Sequence, residues 1–339
     1  MRYRSKRNLR LAAVLLLALS MTGLSGCHRR LRAAEIAYVS APQAVLRDQL
    51  STLFNKTGTV KNGEQVQILE REKHFARVRT QVGAEGWIEQ RYLVSKSVYD
   101  QIQSLAQTNK EAEVQAPGVL RNETNLHLSP GRDTEHLYQL ATGAKVAILK
   151  RAAAERTGVV AVPSRVGSKG AAKQAGPVLE DWLLVRDSDQ HVGWVLSRMV
   201  DVDAPLEIAQ YAEGQRLVAF FVLDTVKDGD KQVPQYVCVL TEPHDGLDYD
   251  FDQLRVFTWN VRKHRYETAY REHGLNGVLP VTVDTETEKE GPLPTFVLRT
   301  KGDSGNVVER KYKLNTPIVK RVYGPGEVPT HAAAKRRKK

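Results

Sequence analysis

From residue 34 to residue 322, apolar and polar side chains alternate over short runs rich in Val, Leu, Ile and aromatics, and the runs stop at Gly, Pro, Asn or Asp. A period of two between turn residues predicts β-strands with one buried face. The runs come in two related sets. At an offset of 80, Gly63, Val66, Ile68 and Leu69 recur as Gly143, Val146, Ile148 and Leu149. At an offset of 107, Phe75, Val78, Arg79, Gly86, Trp87, Ile88 and Arg91 recur as Trp182, Val185, Arg186, Gly193, Trp194, Val195 and Arg198. The second copy therefore carries 27 additional residues, the stretch 151–177, whose Ala, Gly, Lys and Arg content predicts a flexible insertion between two strands. Each copy is short enough to be a small β-barrel.

Between the copies, Val98, Ile102, Leu105 and Ala106 fall at helical spacing, which predicts a short amphipathic helix docked on a barrel. After residue 205 the runs lengthen and the repeat stops. Strands are predicted at 217–222, 236–240, 254–259, 265–270, 278–283, 295–298 and 307–314. The expected fold class is all-β, two small barrels followed by a sandwich-like or single-sheet C-terminal domain. The segments are 34–95, a helical linker 96–113, then 114–204, a β-rich domain 205–325 of no recognised family, and a basic tail 326–339.

The N-terminus reads differently. Arg2, Arg4, Lys6, Arg7 and Arg10 precede an uncharged run from Leu11 to Gly26. As a helix this run would rise about 24 Å, short of the roughly 30 Å of a bilayer core, so residues 1–26 predict a secretory signal rather than a span. Leu24, Ser25, Gly26 and Cys27 resemble the lipobox of bacterial lipoproteins. That resemblance implies cleavage before Cys27, lipid on its sulfur and a membrane-anchored protein of the cell envelope. With His28 in place of Asp, it also implies the outer membrane, facing the periplasm, in a cell with two membranes. The net charge of +11 changes little. Most of it lies in the signal, in Arg29, Arg30 and Arg32, in 151–177 and in the tail, leaving a mildly acidic folded mass. Nucleic acid is not expected as a partner.

The order of features in each copy resembles the bacterial SH3 domain: a first strand at Leu46 and Arg47 (Leu126 and Leu128), a Gly turn, Val-x-Ile-Leu, an aromatic-x-x-Val-Arg strand, then Gly-Trp-Ile or Gly-Trp-Val. Asn125, Leu126, His127, Leu128, Ser129, Pro130 and Gly131 resemble the opening motif of that family, with His127 and Leu128 as departures. The resemblance implies SH3-like barrels that bind wall peptide or peptidoglycan. An aromatic groove would hold such an extended ligand. The groove candidates are Tyr38, Phe54, Trp87, Tyr92, His127, Tyr138 and Trp194. In a barrel of this size a mainly structural, core role is the stronger reading for Trp87 and Trp194.

Two cysteines, Cys27 and Cys238, exclude a disulfide scaffold and a four-cysteine zinc site. A wall peptidase of the cysteine class would need Cys238 with His244, His264 or His273, but Tyr236, Val237, Cys238, Val239 and Leu240 form a strand-like run with nothing to lower a thiol pKa. Asp245, Asp248, Asp250 and Asp252 suit either calcium or a solvated loop. The sequence thus predicts a lipoprotein, anchored through Cys27, that is not an enzyme and has no cofactor and no metal site. Its expected partner is cell-wall peptide, peptidoglycan or an envelope protein. The alternatives are an envelope assembly scaffold and a cell-wall hydrolase with its site in the last domain.

Overall fold

The computed structural model describes residues 35–157, 177–288, 291–302 and 304–324. The signal segment, Cys27, most of the insertion and the basic tail lie outside the described residues. Everything described from Ile36 onward forms one unit.

The alternation read from the sequence becomes three antiparallel seven-stranded sheets. The first module contains β1 (Glu35–Val39), β2 (Gln43–Arg47), β3 (Lys56–Lys61), β4 (Gln65–Glu72), β5 (Phe75–Thr80), β6 (Glu85–Glu89) and β7 (Leu93–Ser95). The second contains β8 (Ala116–Leu120), β9 (Thr124–His127), β10 (His136–Leu140), β11 (Lys145–Glu155), β12 (Leu179–Arg186), β13 (Val192–Leu196) and β14 (Val200–Val202). The strand orders, β3-β2-β6-β5-β4-β1-β7 and β10-β9-β13-β12-β11-β8-β14, are the same order shifted by seven strands. The sequence repeat is therefore a repeat of topology.

Two glycine pairs show why the repeated residues recur. Gly63 and Gly143 turn the chain into β4 and β11 with φ of 77° and 78°, a left-handed conformation that side chains resist. Gly86 and Gly193 lie where one strand crosses another. A Cβ there would sit 2.7 Å from Leu46 Cβ and 2.6 Å from Leu126 Cβ respectively, so the Gly-Trp pair marks a backbone crossing.

Helix α1 (Lys96–Thr108) joins the modules. The Ser95 hydroxyl caps it by accepting from the Val98 amide at 3.3 Å, and Lys96 pairs with Asp100 one turn on at 2.6 Å. Its apolar residues divide between two surfaces. Val98, Tyr99 and Ile102 pack with Tyr38, Val94 and Leu137, whereas Leu105 and Ala106 pack on Leu149, Leu184 and Val192. The helix is wedged against both modules rather than one.

The third sheet runs as a meander, β15 (Arg216–Asp228), β16 (Lys231–Thr241), β17 (Phe251–Asn260), β18 (Arg265–Glu288), β19 (Gly291–Lys301), β20 (Val307–Asn315) and β21 (Ile318–Val322). Contacts of β15 with β18 and β19, and of β18 with β21, show that it curls into a half-barrel. The two strands expected at 265–270 and 278–283 are one long strand, and β21 was not foreseen. Of the two architectures expected for this region, the single sheet is the one formed. One face continues the core of the second module, joining Val185 and Val195 to Val237, Val239, Phe251, Phe296 and Tyr312 in one cluster. The other face, with Tyr236, Cys238, Leu240, Phe257 and Tyr266, is covered by Ile208 of the short helix α2 (Leu206–Ala209) and by Tyr211. Buried Arg255 fixes that cover by donating to the Tyr211 carbonyl and, at 2.8 Å, to Glu213. Strand β16 is thus covered on both sides, which explains its unbroken apolar run.

One expectation is corrected at the insertion. Residues Arg151–Glu155, expected in the flexible stretch, continue β11 opposite β12, with Arg151 facing Leu183 in register. Arg151 is 10% exposed and Asp181 2% exposed. The guanidinium donates to both Asp181 oxygens at 2.9 and 2.7 Å, to Asp250 at 3.2 Å and to the carbonyls of Tyr249 and Leu247 at 2.9 and 3.0 Å. Beside it, the Gln115 side chain accepts from the Val281 amide at 3.0 Å across the same joint. Removing one partner of a buried ion pair leaves the other charge uncompensated, at a cost of about 3–5 kcal/mol. Arg151→Ala should lower stability by that amount in denaturant titrations and raise amide exchange in the loop 245–252, whereas Arg198→Ala on the surface should change stability by less than about 1 kcal/mol.

Candidate functional site

In the second module, β9 and β10 bring His127 and His136 opposite one another in register. Their ring centroids are 5.3 Å apart, and Trp182 of β12 meets His127 edge-on at 5.3 Å. These rings, with Asn125, Arg132 and Arg198, line a groove of about 400 Å³. The Thr134 carbonyl and hydroxyl each lie 3.1 Å from His127 Nδ1. A carbonyl only accepts, so Nδ1 donates and Nε2 is left as the acceptor of a neutral ring. Burial holds the His127 pKa below its ordinary value, favouring that neutral form.

The rim of the groove carries charge of both signs. Arg132 grips Glu180 with two hydrogen bonds of 2.8 and 2.6 Å, while Arg198 and Arg156 approach the same carboxylate at 3.4 and 3.8 Å. Hydrogen bonds from Arg132 hold the Glu180 carboxyl below the usual range, against the opposing effect of burial. Glu123 also lines the groove and Asp133 lies beside Arg132, so these arginines are matched by acidic groups beside an aromatic surface. The Arg132 and Arg198 guanidinium groups lining the groove suit a carboxylate on an extended ligand.

The first module fills the equivalent space with its own side chains. Arg47 stands where the repeat places His127 and lies over the Phe54 and Phe75 rings at 4.4 and 5.3 Å. It also pairs with Glu89 at 3.5 Å. Two related modules therefore present different surfaces.

Of the aromatic candidates, His127 lines the groove, with half-buried Trp194 opposite it in register and packed toward Leu149, Leu184 and Val192. Trp87 occupies the corresponding place opposite Arg47, half-buried. Phe54 is exposed beneath Arg47, and Tyr92 packs on the first core beneath Arg91 at 4.8 Å. Tyr38 and Tyr138 belong to the joint between the modules instead. Tyr38 stacks on Tyr99 at 3.7 Å, and Tyr138 stacks on His191 at 3.7 Å while accepting from Gln103 at 3.1 Å. Trp182, His136 and Arg132 were missed in the sequence. Trp182 carried a usable signal, since it is the repeat partner of Phe75.

Two aspartates of the acidic loop are held by protein cations. Asp250 faces Arg151 and accepts from the Leu279 amide at 2.8 Å, and Asp245 pairs with Arg216 at 3.2 Å. Asp187, Asp189 and His191 bring three potential metal-ligand atoms within 4.8 Å of one another, a grouping the sequence reading did not single out. Asp187 already serves the turn there, accepting from the amides of Asp189 and His191 at 2.9 and 2.8 Å and facing His191 Nδ1 at 2.9 Å. Burial opposes its ionisation, but these hydrogen bonds outweigh that and hold its pKa low.

Among the described residues, no helix is long and apolar enough to cross a membrane.

Residues 44–94 match the family model described as the bacterial SH3 domain. No curated protein matches the chain. Among solved structures, the chain is similar to an NlpC/P60 family protein from Bacillus cereus ATCC 10987, with 9% identity over 57% of this chain and 65% of that one, at a TM-score of 0.24. It is also similar to NlpC2 and NlpC1 from Trichomonas vaginalis, at 12% and 11% identity over 86% and 85% of this chain and 96% and 91% of theirs, each with a TM-score of 0.17. The chain spans less than two thirds of the Bacillus cereus protein.

These findings correct three expectations. The family model matches one module, not two. The chain beyond it is not without likeness to known proteins, because the alignments to NlpC/P60 proteins reach over most of it. The expectation of a purely non-catalytic binder that is not an enzyme is likewise withdrawn, since the solved structures the chain is similar to are an NlpC/P60 family protein and NlpC2 and NlpC1. TM-scores this low define no shared fold, and no residue or reaction is carried over from them.

Cys238 is 1% exposed, lies on the covered outer face of β16, and burial pushes its thiol far above the ordinary range. Such a thiol is inert. Mass-spectrometric mapping of alkylation near pH 8 should find Cys238 unmodified in folded protein and modified in denatured protein. Labelling of Cys238 in the folded state would contradict this burial.

Proposed function

We propose that this chain is a cell-envelope protein that holds carboxylate-bearing cell-wall peptide in the groove of its second module and works in the hydrolytic turnover of that wall. In this reading both modules are SH3-like barrels, Cys27 carries the lipid that anchors the protein, and the outer membrane is its site in a cell with two membranes. The observation that carries the proposal is the pairing of the His127, His136 and Trp182 rings with three arginines gathered on one glutamate. Aromatic faces hold an extended chain at low entropic cost, and the Arg132 and Arg198 guanidinium groups in the groove meet its carboxylates.

The test incubates mature protein with isolated sacculi, measuring co-sedimentation and release of soluble wall fragments together. The protein should pellet, and less so as salt rises. His127→Ala combined with His136→Ala should weaken pelleting about tenfold, the effect of losing one or two good contacts, with an unchanged circular dichroism spectrum. No pelleting at low or moderate salt, together with no fragment release, overturns the proposal. Any release observed should survive Cys238→Ala, because that thiol is sealed in the core. Separately, Cys27→Ser should abolish incorporation of labelled acyl chains and move the protein out of the membrane fraction.

A further inference from the structure

One cross-strand pair differs in kind between the two modules. In the first, β2 sets Arg47 opposite Lys56, and in the second, at the same place in the strand order, β9 sets His127 opposite His136. An arginine and a lysine at neutral pH are cations with no lone pair to offer a metal. Two neutral imidazoles are the reverse, since imidazole is the commonest metal ligand among side chains and suits zinc and copper.

The geometry of the histidine pair fits a shared ion. The Thr134 carbonyl takes the His127 Nδ1 proton, which fixes the ring and leaves the Nε2 lone pair free. Metal-ligating histidines are almost always held this way, the other nitrogen donating to a carbonyl, a carboxylate or water. His136 has no hydrogen-bond or ion-pair partner among the described residues, so its ring is free to turn a nitrogen toward the same point. Zinc holds imidazole nitrogen at about 2.0–2.1 Å, which sets each ring centre about 3.2 Å from the ion and two rings on one tetrahedral ion about 5.2 Å apart. The His127 and His136 centroids are 5.3 Å apart. The strands thus already hold the rings at the separation one ion requires.

Charge does not oppose a cation here. Glu123 lines the same groove, and Glu180 and Asp133 answer its arginines. The grouping of Asp187, Asp189 and His191 is placed differently, because Asp187 is committed to its own turn and His191 Nδ1 faces that carboxylate. We propose that His127 and His136 together bind one divalent transition-metal ion of the zinc and copper class, His127 through Nε2. Two of four tetrahedral positions then stay open, to water or to a carboxylate in the groove. The assignment goes beyond wall binding and does not depend on it.

Calorimetric titration with zinc chloride tests it, on the mature chain carrying Cys27→Ser so that the Cys27 thiol cannot compete. One ion should bind per chain and raise the melting temperature. His136→Gln is the decisive variant, because that ring holds nothing else in place, and it should weaken zinc binding at least tenfold with an unchanged circular dichroism spectrum. His127→Gln should do the same, and His191→Gln should leave binding as it was. Copper(II) paramagnetic resonance should show nitrogen coupling that His136→Gln diminishes. The assignment is overturned if zinc does not bind by about 1 mM, if binding survives both groove variants, or if His191→Gln is the variant that abolishes it. The titration uses no wall material, so its failure is separable from a failure of sacculus pelleting.

Discussion

The buried guanidinium of Arg151 is the contact on which the rest of the arrangement depends. An arginine has five N–H donors in a fixed fork, and here each meets an oxygen, from Asp181 on its own sheet and from Leu247, Tyr249 and Asp250 of the neighbouring loop. Burial opposes the charge, but the Asp181 and Asp250 interactions outweigh it and raise the Arg151 pKa. A charge buried this deeply is tolerable only when every partner is in place, so the ion pair fixes how the second module sits on the half-barrel. It also turns an acidic loop from a free surface into the wall of a cavity.

The same strand order carrying different side chains explains the groove. Both modules place Trp on the strand after the crossing glycine and a polar residue opposite it, yet that residue is Arg47 in one and His127 in the other. The longer, charged side chain folds back over Phe54 and Phe75 and closes its surface. The shorter imidazole, tied to Thr134, leaves space against Trp182. The first module packs on the helix and its neighbour through Tyr38 and Asn62, which donates to the Leu137 carbonyl at 2.6 Å. On this geometry the aromatic surface of the first module is closed by its own arginine, while the second keeps an open groove.

Much of the strand pattern was legible because alternation records which face is buried. The repeat, the turn glycines and the strand-like run around Cys238 follow from that rule. The aromatic candidates fared unevenly for a related reason. Alternation says that Tyr38 and Tyr138 share a face with other half-buried residues, but not that the covering surface is a helix and a second module rather than a peptide. Arg151 was misplaced in the insertion because a strand edge of Ala, Arg and Glu has no apolar signature. Its partners lie near residue 250, almost a hundred positions away.

The sequence by itself determined local matters: strands and turns, a repeated order of strands, and a buried cysteine. These depend on neighbours a few residues apart, whose spacing is fixed by backbone geometry. The tertiary structure alone decided which rings form a groove and which arginines meet Asp245 and Asp250 of the acidic loop. Those outcomes depend on how separate sheets pack, and packing is selected by the sum of many weak contacts that no single stretch of sequence displays.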